Sequence, residues 1–448
     1  MISDKSREQR GKFLQLMFQD YYRENSNKID IPDRIWNREF GLESWDFLWK
    51  CTNPSCGKDG TSFKPVLKCP HCGHDTTMTK WKRHVGFRTA DDLFKELYSS
   101  APHSVYHSAA FYDTPVARMA EKGWMGAELV FDIDADHLDS PCSKNHDAWI
   151  CSNPQCSEYG MGAPPTEGCP RCGENRFSTR KWVCDRCLED AKMNTIKIHD
   201  EFLVNDFNID PKFIQINYSG HRGYHIRVRD PNIFKLDSQG RIEIIHFITG
   251  MGLDSERIIR SIGNNDVIPS RDMPGWAGKM ADAILEYLRS IDEQPDDYKW
   301  AKSLMDHQRA AADGLVRNPP ILSPKVTGVG LKSWQEIAKE SALVYGGKTD
   351  IPVTHDIHRV IRLIGSLNGK TGFEVTRLTR DDLDTFDPFS DAIAFNEGLL
   401  KVRIASGFLP IPQIRIGNTI FGPYSDEEIE LPMAAAIFLL CKEVATIA

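Results

Sequence analysis

The chain predicts an α+β fold, and three observations lead there. Strand-like and helix-like segments follow one another without the regular alternation of a βαβ repeat. One cysteine-rich unit occurs twice, which sets two metal-stapled ribbons into that fold. A long polar stretch with helical periodicity separates the middle of the chain from its last hundred residues. The expected architecture is therefore mixed β-sheets with flanking helices, two zinc-ribbon insertions and a helical accessory segment. At 448 residues the chain is long enough for a large core and two or three structural units.

The elements read in order as follows. Phe13, Leu14, Met17 and Phe18 fall at helical spacing, so residues 7–25 form a helix. Ala127 to Asp134 reads as one strand entering the core. Phe213 to Tyr218 is another strand, and Tyr224 to Val228 alternates as its hairpin partner. Lys279 to Ile291 and Lys332 to Tyr345 read as helices joined by a polar, proline-containing connection, which marks 271–348 as the accessory segment. Strand-like runs return at Val353–Leu363 and Leu400–Ile404. Met433 to Thr446 reads as a terminal helix docked by its apolar face, making Cys441 a core residue.

Composition narrows the classes. Apolar content of 41% and charged content of 26% are those of a soluble globular protein. A net charge of −8 excludes a general polyanion binder, so any nucleic-acid surface must be a local basic patch. The N-terminus lacks the apolar run of a signal peptide, and the longest apolar stretch, Met433 to Cys441, is too short to span a bilayer. The expected location is cytoplasmic, without a membrane partner. In that compartment twelve cysteines point to metal rather than to disulfides.

The repeat is explicit. Trp49-Lys50-Cys51-Thr52-Asn53-Pro54-Ser55-Cys56 returns as Trp149-Ile150-Cys151-Ser152-Asn153-Pro154-Gln155-Cys156, and Cys69-Pro70-His71-Cys72-Gly73 as Cys169-Pro170-Arg171-Cys172-Gly173. Both units close on Lys-Trp, at Lys80-Trp81 and Lys181-Trp182. Two facing cysteine hairpins place four thiolates around a tetrahedral ion, so Cys51, Cys56, Cys69 and Cys72 form one Zn²⁺ site and Cys151, Cys156, Cys169 and Cys172 a second. Buried reduced cysteine or a redox dithiol is the competing reading. Cys142-x3-His146 and Cys184-x2-Cys187 flank the second ribbon and close a third zinc site between them; the rival is that His146 is a surface histidine.

Two further stretches carry chemistry. In Phe131-Asp132-Ile133-Asp134 the carboxylates are two apart on a strand and share a face. Like charges so close are best tolerated with divalent metal between them, the arrangement for two-metal phosphoryl transfer. Chance is the rival explanation of a lone D-x-D, and Asp136 and Asp139 downstream read equally as a solvated acidic turn. Ser219-Gly220-His221-Arg222-Gly223-Tyr224-His225 supplies the second element: two glycines permit a tight turn, while Ser219, His221, Arg222 and His225 offer donors to phosphate oxygens. Arg227 and Arg229 extend its basic face.

These motifs resemble the small, catalytic subunit of archaeo-eukaryotic DNA primase in its archaeal form. Phe131 to Asp134 resembles that family's metal-binding D-x-D, and Ser219 to His225 its S-G-x-R-G-x-H. A third motif is similar at Asp350-Ile351-Pro352-Val353-Thr354, followed by Arg359 to Gly372. Flanking matches are Arg38 to Gly41, Arg83 to Phe87, Val105 to Ser108 and Lys122 to Ala127. The resemblance implies a third metal-binding carboxylate at Asp350, with Asp356 as the rival position, and a basic residue near the triphosphate at Arg362. Asn368 stands where relatives usually have a nucleotide-contacting His, and it cannot be cationic. The Cys142/His146/Cys184/Cys187 set resembles the family's zinc knuckle.

On this reading the family's catalytic fold begins in 1–48, is interrupted by the first ribbon at 49–82 and resumes over 83–141 with the D-x-D strand. The knuckle with the second ribbon occupies 142–189. The hairpin lies in 190–270, the accessory segment in 271–348 and the end of the core in 349–448. The activity implied is a nucleotidyltransferase, a DNA-directed RNA polymerase making short RNA primers, with DNA primers also open, on single-stranded DNA. Asp132, Asp134 and Asp350 would hold Mg²⁺ or Mn²⁺; Ser219, His221, Arg222, His225, Arg362 and Asn368 would face the NTP or dNTP. A large subunit completes a heterodimer in that family. The alternatives are a primase-like repair polymerase that only extends primers and an inactive zinc-ribbon nucleic-acid-binding protein.

Overall fold

The computed structural model describes residues 4–138, 140–290, 300–322, 327–405 and 411–448. Asp139 and the expected helix end at Ile291 lie outside them. The fold is α+β, with several small sheets and helices beside them. It divides into two compact units.

The first unit comprises Met1–Met193, Ile214–Leu236 and Asp356–Ala448. Its four-stranded antiparallel sheet runs in the order Arg377–Leu378, Ile214–Tyr218, Gly223–Val228, Leu129–Asp134. The hairpin register pairs Tyr218 with Tyr224, and the outer ladder pairs His225 with Asp132 and Gly223 with Asp134. On the carboxylate strand Phe131 and Ile133 are buried while Asp132 and Asp134 are half-exposed, the two-residue alternation the sequence predicts. A second sheet is built on the long strand Phe40–Cys51, which pairs with Asp59–Ser62, Thr76–Val85 and Ser104–Ser108; Val360–Arg362 extends it beyond Ser104–Ser108.

The second unit comprises Asn194–Phe213 and Asp237–His355. Helices Gly275–Ser290 and Leu331–Tyr345 pack together, burying Trp276, Met280, Ile284, Trp334 and Ile337. A three-stranded sheet of Arg260–Ile262, Asn265–Val267 and Ile321–Leu322 completes it.

Three predicted elements come out differently. The run Ala127 to Asp134 is two strands, Trp124–Ala127 and Leu129–Asp134, interrupted at Glu128. Glu128 is buried between Arg38, at 2.6 Å, and Arg227, also at 2.6 Å. Val353–Leu363 is not one strand: Ile351–His355 is helical and only Val360–Arg362 is extended. The Asp350 carbonyl accepts from the Val353 and Thr354 amides at 3.1 and 3.2 Å, and Pro352 suits a first helical turn, which overrides the β-branched residues. The terminal helix stops at Cys441, because Glu443 adopts a left-handed φ of 60°. Ala445–Ile447 then pairs with Leu399–Ile404. Cys441 is buried, as expected.

Candidate active site and zinc centres

The three cysteine groups assemble. Within each of the three sets the ligand atoms all lie within 4.8 Å of one another. Sulfur separations of 3.4 Å for Cys51–Cys72 and 3.9 Å for Cys56–Cys69 are far from a disulfide and close to the ~3.8 Å edge of a ZnS₄ tetrahedron. The second ribbon repeats them at 3.5 Å for Cys151–Cys172 and 3.8 Å for Cys156–Cys169. His146 is not a surface histidine but 7% exposed, with Nε2 at 3.3 Å from both Cys184 and Cys187. Its other nitrogen, Nδ1, lies 2.9 Å from Asp147 Oδ1, the carboxylate partner that orients a metal-ligating imidazole. All three donor sets fit Zn²⁺.

Asp147 joins the knuckle to the nucleotidyl-transfer motifs. Arg222 Nη1 donates to both of its carboxylate oxygens, at 2.9 and 2.8 Å, and to the Trp182 carbonyl at 3.1 Å. Nη2 donates to Asp136, and Nε lies 3.8 Å from Asp134. Arg222 is therefore buried among carboxylates, which outweigh desolvation and keep its pKa raised. The donors that the sequence offers to phosphate here meet carboxylates, Nη1 those of Asp147 and Nη2 that of Asp136. Lys181 stands at 3.4 Å from Asp136 and 3.6 Å from Asp147, in the same network.

The carboxylate pair has the electrostatics of a cation site. Asp134 has a raised pKa, from burial first and then from Asp136 and Asp132. Divalent metal would reverse that penalty. Asp132 faces His225 Nε2 at 3.5 Å and Arg359 at 3.7 Å. Asn217 Nδ2 lies 3.1 Å from His225 Nδ1, which accepts from it, so the ring presents Nε2–H to Asp132. Burial, followed by Arg362 and Arg359, pulls the His225 pKa down to about 3. His221 is likewise held well below its ordinary value by burial and by Lys442. Burial and neighbouring cations thus disfavour the charged form of both imidazoles, and Arg222 is the permanent cation of the turn.

The turn itself is tightly braced. Gly220 has φ of 76°, and a Cβ there would come within 2.7 Å of Asn368 Cβ. A Cβ on Gly223 would collide with the Ile133 carbonyl, so this glycine sets the close approach of hairpin and carboxylate strand. Asn368 is fully buried; its Nδ2 donates to the Ser219 carbonyl at 2.9 Å and its Oδ1 accepts from the Lys370 amide at 3.0 Å. Both ends of the side chain are thus committed to backbone. The Ser219 amide donates to the Gly223 carbonyl at 2.9 Å.

Arg362 stacks 4.8 Å over the Tyr106 ring, and its Nη1 is buried without a hydrogen-bond partner, an orphaned cationic donor that an anion would satisfy. Arg227 does not extend a basic face: its guanidinium is buried on Glu128 and Gln215. Arg229 pairs with Asp33. The matching segments Arg38-Glu39 and Lys122 are likewise structural, Glu39 being held by Arg83 at 2.8 Å and by Lys122. Asp356 belongs to the first unit and caps a turn, accepting from the His358 amide at 2.8 Å. Asp350 lies in the second unit, immediately before helix Ile351–His355.

Two residues of this region were not singled out from sequence. Asp147 had a signal, since an acidic side chain directly after a ligand histidine is the usual orienting partner. Lys442 had none; it follows the apolar terminal helix and donates to His221 Nε2 and to the Lys181 carbonyl, both at 2.8 Å.

Fold and site set an acidic strand pair beside a tight basic turn, with a Cys/His knuckle braced against them, and comparison with known proteins specifies the family. The sequence profile of the DNA primase small subunit matches residues 173–380. A DNA primase small subunit PriS of Methanothrix thermoacetophila is 33% identical over 393 residues, 82% of this chain and 89% of that protein. One of Methanococcoides burtonii is 30% identical over 97% of both chains, and one of Nitrosopumilus maritimus 28% identical over 98% of both. The chain belongs to the DNA primase small subunit family.

Proposed function

We propose that this chain is the catalytic subunit of a DNA primase and joins two nucleotides into a short primer on a single-stranded DNA template. The observation that carries the proposal is the register of Asp132 and Asp134 against the S-G-H-R-G-Y-H turn: His225 stands opposite one carboxylate and Gly223 opposite the other. Mg²⁺ or Mn²⁺ bound there would lower the pKa of the attacking 3′-hydroxyl and offset charge on the α-phosphate.

The residues divide the remaining work. Asp132 and Asp134 are the acidic donors of the first unit, and Asp350 is the third that the family resemblance assigns. Arg362, with its orphaned donor, is the direct cation for the triphosphate. His225 donates from Nε2 as a neutral imidazole, and Ser219 and His221 offer their groups from the braced turn. Arg222 and Asn368 position that turn. The reading extends to RNA primers made from NTPs, to three zinc ions and to a large-subunit partner.

The test is synthesis on an unprimed single-stranded template with labelled NTPs and Mn²⁺, with and without a candidate large subunit. Short labelled products that vanish in Asp134→Ala are expected. Extension of supplied primers without any unprimed synthesis, even with the large subunit, would instead make the chain an extending polymerase.

A further inference from the structure

The first ribbon borders a cleft of about 240 Å³ that the catalytic motifs do not use. Four cations line it, Arg7, Arg10, Lys64 and Lys80, with one carboxylate, Glu443, which pairs with Arg10 at 2.9 Å. In a chain of net charge −8 that is the local basic patch a polyanion requires. Trp45, Phe47 and Phe63 supply rings between the cations. Lys80 Nζ stands 4.9 Å from the Phe47 ring centroid, and the Phe63 ring lies so close to the N-terminal helix that a Cβ on Gly11 would meet it at 2.6 Å. Gly11 leaves the room in which this ribbon loop seats.

Two observations connect the cleft to the reaction. It reaches Gly369, the neighbour of Asn368, which holds the Ser219 turn. And the two ribbon copies use their closing lysine differently. Lys181 is committed to Asp136 and Asp147, whereas Lys80 of the first copy lines the cleft with its Nζ over the Phe47 ring. Cations set beside aromatic rings in a groove are how proteins hold a single strand without reading its sequence. An acidic protein surface would need no stacking faces.

We propose that this cleft grips the single-stranded template, with the Phe63-Lys64 bend of the first ribbon as its clamp. The proposal rests on the primase reading, and its test separates the two. Dissociation constants for a fluorescein-labelled oligodeoxythymidine are measured by anisotropy across a salt series, for the full-length wild type, for the double variant Lys64→Glu/Lys80→Glu and for Phe63→Ala. Zinc content and Tm are read for each.

The double variant should bind about tenfold or more weakly, with a salt slope shallower by about 0.7 for each phosphate that is no longer neutralised. Phe63→Ala should weaken binding about fivefold or more, because the base that stacks on this ring loses its platform. KM for NTP on saturating template should not move. Unchanged affinity in the double variant, with zinc and Tm intact, overturns the proposal. So does a raised NTP KM with unchanged oligonucleotide affinity, which would make the cleft a nucleotide site. Primer synthesis by the wild type is scored separately. Its absence would sink the primase reading while the binding result still decides the cleft.

Discussion

Asp147 grips Arg222 with both carboxylate oxygens, at 2.9 and 2.8 Å, while the same carboxylate holds His146. Arg222 in turn reaches Asp136 and lies beside Asp134. A short chain of charge-assisted contacts therefore runs from the zinc knuckle to the carboxylate strand.

The first prediction follows from that chain. Asp147→Asn leaves a buried guanidinium without its main partner, and breaking a buried pair costs about 3–5 kcal/mol. Denaturant unfolding should show a loss of that order. Chelator competition should show zinc held about 10–100-fold more weakly at the knuckle. A variant with unchanged stability and zinc retention would mean that the contact does not couple the two sites. Arg222→Ala should likewise lose stability, not only nucleotide affinity.

Cysteine substitutions test the metal count. Elemental analysis of the wild type should approach three zinc ions, matching the three ligand sets. Cys184→Ser should lose one zinc together with activity, because its site braces Arg222 through Asp147. Cys51→Ser should lose one zinc with a milder loss of activity on saturating template.

Carboxylate substitutions separate chemistry from folding. Asp132→Ala and Asp134→Ala should abolish incorporation. The raised pKa of Asp134 means that its ionised form opposes folding near neutral pH, so Asp134→Asn should unfold at equal or higher temperature without added metal. Asp350→Ala should be inactive and Asp356→Ala less affected; the reverse order would move the third motif by six residues.

Arg362→Ala removes the orphaned donor. KM for NTP should rise and kcat/KM fall by an amount equivalent to about 2 kcal/mol, with stability nearly unchanged. A variant that loses template affinity but keeps its NTP KM would assign Arg362 to the strand instead.

Lys442 gives a pH signature. Burial, then Arg222 and Lys370, pull its pKa down to about 7. An unfolded lysine stays protonated up to about 10.4. Between those values the unfolded chain binds the extra proton, so this residue's contribution to stability rises with pH. Lys442→Met should flatten that rise in a series of melting curves from pH 7 to 10.

Much of this was legible in the sequence because spacing alone carries it. The cysteine intervals give all three ligand sets, and period two gives the shared face of Asp132 and Asp134. What was not legible depends on pairing between distant segments. A basic side chain near a glycine turn looks the same whether it meets phosphate or carboxylate; Arg222 and Arg227 meet Asp147 and Glu128, tens of residues away in sequence. The helix at Ile351–His355 escaped because β-branched residues there suggest a strand, whereas the backbone bonds to Asp350 decide otherwise. Nor does the sequence show that burial and nearby arginines and lysines disfavour the charged forms of His221 and His225.

The ribbons have one more property. Cys51 pairs with Thr76, and Cys151 with Phe177, so each unit enters and leaves its ladder at adjoining positions. Trp149 packs over Gly160 as Trp49 does over Gly60, which leaves each unit its own small interior. A segment with adjacent ends and an internal metal can be copied or excised without rerouting the chain around it. Such a unit is a cassette, joined to its host strand at a single place. The second copy meets Asp136 and Asp147 through its closing Lys181, while the first borders the cleft proposed for the template.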